Sequence, residues 1–304
     1  MSRRRRRGRP VNGVLPLDKP VGIGSNEVLQ KVKHLFFAQK AGHTGSLDRL
    51  ACGLLPICFG EATKLSAFLL NADKRYQSRL RLGVRTSTAD AEGEVIDERP
   101  VPPLTEDAIE TVLAQFRGDI MQVPPMYSAL KHKGERLYKL AHRGEVVDRE
   151  PRPVTIHGLT LDGFGGDYLD INVSCSKGTY IRTLGEDIGE ALGCGASVLT
   201  LRRTGAGPFD ESQMVSVEDV EAAAAERDAD RLLLAPEDGL PDWPEVGLTD
   251  DLCFYVRKGQ PVMIPRSPTE GWVKMFGPER SFVGVGEVLD DGRIAPRRIL
   301  ATTR

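Results

Sequence analysis

From Tyr76 to Arg85 the chain alternates in a way that only a β-strand satisfies. Tyr76, Ser78, Leu80, Leu82 and Val84 fall on one face, and Arg75, Arg79, Arg81 and Arg85 fall on the other. Successive side chains of a strand point to opposite faces, so one face here must meet a core while the other meets water. Leu169, Ile171, Val173 and Cys175 repeat the pattern, and residues 11–17, 54–59 and 196–203 read as further strands. Helical spacing takes over between them. Val28, Val32, Leu35 and Phe36 follow Ser25 as the N-cap, and residues 61–70 read as a helix. Ile109, Val112, Leu113 and Phe116 follow Thr105 and close on Gly118. Ile181, Leu184, Ile188 and Leu192 share one face, and Ser216 caps a last helix. Strands and helices mix without a steady βαβ rhythm, which predicts an α+β domain rather than a doubly wound one.

A chain of 304 residues exceeds one typical domain of ~100–200. The stretch Leu240, Pro241, Asp242, Trp243, Pro244 reads as a linker, and the short alternating runs beyond it, with a turn at Asp291 and Gly292, predict a small all-β module. The expected division is a basic disordered arm (1–10), a catalytic domain (11–240) and the β module (246–304). Within the second, residues 119–153 differ in texture: prolines at 124, 125, 151 and 153, the cations Lys131, Lys133 and Arg136, and the aromatics Tyr127 and Tyr138. A connection that long inside a compact domain is usually functional, and this one predicts a lid that closes over nucleic acid. Arg3, Arg4, Arg5, Arg6, Arg7 and Arg9 crowd the first nine residues; taking those six charges from the total of −2 leaves −8 for the rest. A cationic arm on an acidic body favours a polyanion.

With 40% hydrophobic and 28% charged residues the chain is ordinary for a soluble protein. No apolar run nears the ~20 residues of a membrane span, and no secretory signal follows the arginines, so the cytoplasm is the expected compartment. The five cysteines show no Cys-x-x-Cys spacing and read as reduced thiols, so no metal is expected.

The chemistry concentrates at Gly42-His43-Thr44-Gly45-Ser46-Leu47-Asp48. A carboxylate on a glycine-bearing loop just before a buried strand is held on one side and reachable on the other, as a nucleophile or general base requires. An aspartate in a turn most often caps its own loop, and a lone loop histidine most often makes a hydrogen bond. The loop lacks the spacing of a Walker phosphate cradle. Tyr76, in phase with Leu80 and Leu82, should turn its ring inward, where it can stack on a base. Arg182 opens a helix directly after a strand. Buried beside Asp48, it would hold the carboxylate ionised and aimed.

The runs AGHTGSLD, GLLPICFGEATK, DKRY, CSKGTYIRTL and LRRTG resemble, in order, the TruB family of tRNA pseudouridine-55 synthases, and the likeness extends from VNGVLPLDKP to the VGVGEVLDDGRIAPRRIL stretch near the end. The resemblance implies a mixed, largely antiparallel sheet with flanking helices, plus a C-terminal PUA-like domain. It also implies isomerisation of the T-arm uridine of tRNA, with base flipping and no cofactor, by a monomer. Asp48 matches the catalytic aspartate, Tyr76 the tyrosine that stacks on the base and takes part in late proton transfer, and Arg182 the arginine that pairs with the carboxylate. His43, Tyr180 and Leu201 match positions that contact the flipped nucleotide, and Lys19 and Lys64 match basic residues near the site. Arg49 stands where the family has proline, and Cys52 where it has threonine. Arg49 is expected to loosen the backbone at Asp48, and to compete with Arg182 or meet a phosphate. Two other classes are weighed against isomerisation. One is a silent tRNA-binding protein; the other is an aspartate-dependent glycosidic hydrolase, which needs a second carboxylate and releases uracil.

Overall fold

The computed structural model describes residues 8–301. Residues 3–7 of the arginine arm lie outside them. Residues 8–10, expected in the disordered arm, belong to the folded body: Arg9 pairs with Asp230 at 2.5 Å and donates to the Phe36 carbonyl.

The chain runs β1 (Gly13–Lys19), α1 (Ser25–Leu35), β2 (Ala41–His43), β3 (Cys52–Phe59), α2 (Ser66–Asn71) and β4 (Lys74–Leu82). A hairpin follows, β5 (Val84–Thr86) with β6 (Val95–Glu98), then α3 (Glu106–Ala114) and β7 (Gly118–Gln122). The lid segment holds β8 (Lys131–His132), β9 (Glu135–Arg136) and α4 (Leu137–His142). Next come β10 (Arg152–Phe164), β11 (Tyr168–Cys175), α5 (Ile181–Ala191), β12 (Ala196–Ala206), β13 (Phe209–Asp210) and α6 (Val217–Ala225). The last part comprises β14 (Glu245–Gly247), α7 (Asp250–Arg257), β15 (Trp272–Phe276), β16 (Phe282–Val288) and β17 (Ile294–Ile299).

The main sheet has the order β1-β3-β12-β4-β11-β10-β7. Its pairs are antiparallel except β12 on β3, so it is mixed and largely antiparallel, as expected. Buried side chains of α1, α3, α5 and α6 close the principal core with those of the central strands. β3 is apolar without alternation because both its faces are covered. Leu55, Ile57 and Phe59 enter the principal core, while Leu54 and Cys58 enter a second one with Leu69 and Phe209. β4 alternates because only one face is covered: Leu80 and Leu82 are buried, and Arg79 and Arg81 are exposed. Helix α5 lies close on the sheet because residue 189 has no side chain. A Cβ there would stand 2.3 Å from the Ala196 nitrogen.

Thr105 and Ser216 cap α3 and α6 through their hydroxyls, as expected. Other local readings need correction. Gly24, not Ser25, is the N-cap of α1, because the Ser25 hydroxyl is engaged elsewhere. Residues 61–70 divide into a 3₁₀ turn (Gly60–Lys64) and α2. Gly118 opens β7 at a φ of +82° instead of ending α3. The two ends of the 119–153 segment belong to the main sheet, where β7 pairs with β10 from Arg152↔Gln122 to Ile156↔Gly118. Only the stretch between those strands lies outside the main sheet.

The C-terminal module has the expected small sheet, β14-β15-β16-β17, and also carries α7, whose Cys253 and Val256 face its core. The 240–244 stretch is not a free linker. Leu240 is buried, and Trp243 stacks in a cluster with Phe68 and Trp272 at centroid distances of 4.9–5.4 Å. Proline density marked a boundary, but the apolar side chains between the prolines fasten the module to the catalytic domain. Among the described residues no helix is long and apolar enough to cross a membrane.

Candidate active site

Asp48 sits in the loop between β2 and β3, and the loop is held from below. Ser25 Oγ accepts from the Leu47 N–H (2.7 Å) and donates to the Leu47 carbonyl (2.8 Å). The Ala51 N–H donates to the Asp48 carbonyl. Beyond it, Arg49 turns outward, with its carbonyl accepting from the Gly22 N–H and its guanidinium paired with Glu27 at 3.1 Å. Arg49 therefore does not compete for the Asp48 carboxylate, and the backbone that a proline would stiffen is tied down by hydrogen bonds. Ser25 is 6% exposed, so truncating it strands a buried donor and acceptor of Leu47. Ser25→Ala should cost about 1–3 kcal/mol of stability, read as a lower urea midpoint, and slow single-turnover product formation.

Arg182 meets Asp48 as the sequence proposed. Its Nε lies 3.0 Å from Asp48 Oδ2, with 6% of the arginine side chain and 45% of the aspartate side chain exposed. The guanidinium is filled on its other edges: Nη1 donates to the Thr88 carbonyl (3.1 Å), Nη2 donates to the Tyr127 carbonyl (2.8 Å), and Asp90 Oδ2 stands 3.6 Å away. A cation in the first turn of α5 faces the positive end of the helix, an unfavourable position that two carboxylates and two carbonyls offset. Asp90 is fixed in turn by the Thr88 hydroxyl (2.5 Å) and the Glu92 N–H (3.1 Å).

Arg182 does pull the Asp48 pKa down, as expected, but the balance of its surroundings goes the other way. Burial among the cleft walls pushes the Asp48 carboxyl above the ordinary carboxylate value, Asp90 adds to the rise, and Arg182 and Lys19 pull against it. The open part of Asp48 faces a cleft of about 770 Å³. Tyr76, Tyr180, Leu201 and Arg203 line the cleft, as do Tyr127 and Tyr138 of the lid segment. Tyr180 is fastened by its backbone, its N–H donating to Gln122 Oε1 (3.0 Å) and its carbonyl accepting from Gln122 Nε2 (3.3 Å).

The remaining proposed residues divide by position. His43, at the end of β2, is not among the residues that line the cleft; burial and the charge of Arg203 keep its imidazole below its usual value. Lys19 is sealed beneath the loop at 0% exposure, with Nζ donating to the Pro20 and Ile23 carbonyls, so it reaches Asp48 by charge alone. Lys64 is not brought to the cleft. Its Nζ binds Glu61 and the Ile299 carbonyl (2.7 Å), fastening the C-terminal module. Lys131, Lys133 and Arg136 are exposed on the β8–β9 hairpin, outside the cleft. The sequence reading passed over Asp90, whose polar turn looks like any surface loop. Arg203 stands in the LRRTG run, which by itself gives it no task.

Residues 33–181 match the TruB family pseudouridylate synthase (N terminal domain). Residues 182–240 match the tRNA pseudouridylate synthase B C-terminal domain, and residues 244–300 match pseudouridine synthase II TruB, C-terminal. The chain is 55% identical to the tRNA pseudouridine synthase B of Nitrosococcus oceani, over 98% of this chain and 97% of that one. It is equally similar to the protein of that name from Pseudomonas fluorescens, over 99% of both. Among solved structures, a Cbf5-Nop10-Gar1 complex contains a chain that is 25% identical, with a TM-score of 0.71, covering 95% of this chain and 84% of that one. A chain of an H/ACA RNP bound to a substrate RNA shares the fold at 23% identity and a TM-score of 0.74, covering 99% and 92%.

Proposed function

The chain belongs to the TruB family of pseudouridine synthases and isomerises uridine in tRNA; on that basis we propose that its target is uridine 55 of the T arm and that Asp48 carries the reaction. The observation that carries this reading is the Asp48–Arg182 pair at 3.0 Å, whose carboxylate opens into a nucleotide-sized cleft beside Tyr76.

Pseudouridine contains the same atoms as uridine. The N1–C1′ bond breaks, the base turns, and C5 joins C1′ while C5 loses a proton and N1 gains one. No electrons are exchanged with an outside partner, so the chemistry calls for no redox cofactor. The uridine must leave its stack, at a cost of a few kcal/mol that protein contacts offset. Asp48 acts on the extruded nucleotide as nucleophile or base, and Arg182 aims it. Tyr76 stacks on the ring and serves the late proton transfer, while Tyr180 and Leu201 border the nucleotide. The glycosidic-hydrolase reading needs a second carboxylate able to work on water. Asp90 is near, but its side chain is 3% exposed and engaged by Arg182, Thr88 and the Glu92 N–H.

Incubating an unmodified T stem-loop with the protein and mapping pseudouridine chemically tests the proposal. Product at position 55 alone is expected. Free uracil would indicate hydrolysis, and binding without product would indicate a silent RNA-binding protein.

The lid, the C-terminal module and the basic arm are our candidates for the remaining RNA surface, read by shape, stacking and phosphate contacts. Replacing Lys131, Lys133 and Arg136 together with glutamine should weaken tRNA binding. It should also reduce the slope of log affinity against log salt by about 2–3, the release expected from three phosphate contacts. An unchanged slope would remove these residues from the interface.

A further inference from the structure

Among the described residues Arg203 is the largest fully buried side chain, at 1% exposure. Its neighbour Arg202 pairs with Asp18 and Glu211. Arg203 makes no ion pair with a carboxylate among the described residues. Its hydrogen bonds go to neutral backbone: Nε donates to the Leu54 carbonyl (2.6 Å) and Nη2 to the Gly45 carbonyl (3.1 Å). A buried cation without a counter-charge is costly to keep, so the fold invites the question of what it does there.

Its place in the sheet answers. On β12, Arg203 is the direct cross-strand partner of Tyr76 on β4 and also pairs with Gly53 at the start of β3. Strand β3 can come that close only because residue 53 is glycine; a Cβ there would stand 2.3 Å from the Arg203 carbonyl oxygen, at a φ of +95°. Directly opposed residues of antiparallel strands project to the same side, so the guanidinium lies against the Tyr76 ring. Both side chains line the cleft. The charge of Arg203 opposes the effect of burial on the Tyr76 phenol. One side chain thus touches the stacking ring and, through Gly45, the loop that ends at Asp48.

We propose that Arg203 is a positioning residue for the isomerisation: packed beside Tyr76 across the strands and bonded to the Gly45 end of the catalytic loop, it holds ring and carboxylate at a fixed separation on the base. The inference rests on the role given above to Tyr76. It requires that Arg203 act through Tyr76 and the loop rather than through tRNA affinity.

Single-turnover rates and tRNA dissociation constants of Arg203→Met, Arg203→Lys, Tyr76→Phe and the double variant Tyr76→Phe/Arg203→Met test it. Arg203→Met should slow the reaction by about 10²-fold, the scale of an ångström of misplacement, with the dissociation constant within about threefold. Arg203→Lys, which keeps charge and one hydrogen bond, should recover part of the loss. In the double variant the losses should fail to multiply, because a phenol already misplaced by the change at 203 has less left to contribute. Losses that multiply, or a loss confined to binding, overturn the proposal. If methionine at 203 prevents folding, Arg203→Lys carries the same cycle with Tyr76→Phe. A slow Tyr76→Phe beside a fully active Arg203→Met sinks this inference alone. A fully active Tyr76→Phe sinks the reading of Tyr76 as well.

Discussion

Asp48→Asn is expected to abolish pseudouridine formation, lowering the single-turnover rate by about 10⁴-fold or more. Asparagine has nearly the same shape, and its amide oxygen can still accept from Arg182 Nε, which lies 3.0 Å from the carboxylate it replaces. What it lacks is negative charge, and with that both nucleophilicity and basicity. Stability should hold, because the substitution relieves the repulsion between Asp48 and Asp90 while giving up one ion pair. tRNA affinity should stay within a few-fold, since a carboxylate is no partner for phosphate. Filter binding beside chemical mapping separates the two quantities. Product formation at even a tenth of the wild-type rate would show that another group carries the chemistry.

Arg182→Met should be nearly as damaging, for two separable reasons. Its side chain is 6% exposed and stands between two carboxylates, so its removal leaves Asp90 buried without a cation. Breaking a buried pair from one side costs about 3–5 kcal/mol, which urea unfolding would register. Adding Asp90→Asn should recover part of that loss. The second effect concerns Asp48. Burial and Asp90 already raise its carboxyl above the ordinary value, and Arg182 is the strongest influence in the other direction. Without it the carboxyl climbs further. The ionised form is the working one, so the acid limb of the rate profile should move to higher pH. Because the folded-state value lies above the unfolded one, this group favours folding when protonated. The variant should gain stability as pH falls through the raised value, the reverse of a carboxylate held in a strong ion pair. An acid limb that stays where the wild type has it would separate Arg182 from the charge state of Asp48.

Much of this site was visible along the chain, because its parts are short-range. The loop before a buried strand, the alternation that turns Tyr76 inward, and the strand-to-helix step at Arg182 are each contained within about ten residues. The capping hydroxyls of Thr105 and Ser216 were legible for the same reason: donor and acceptor lie three residues apart. Ser25 misled because the capping rule describes a local contact, whereas its hydroxyl found a partner 22 residues away. Lys64 was expected near the site on the family resemblance alone. Its ammonium is drawn instead to a carbonyl 235 residues further on. Proline marked residues 240–244 as a joint, but burial of Leu240 and Trp243 makes them an anchorage.

Periodicity and the family motifs were enough to read the α+β class, the order of the central elements and the candidate carboxylate. Such patterns record which face of an element is buried and which backbone shapes a loop can take. The electrostatics of the site arose only on folding. Asp90 shares Arg182 across 92 positions of chain, Arg203 reaches Tyr76 through strand register, and the depth of the cleft outweighs the arginine in setting the acidity of Asp48. Charge acts through space and through the medium around it, and neither distance nor burial is written in a linear chain.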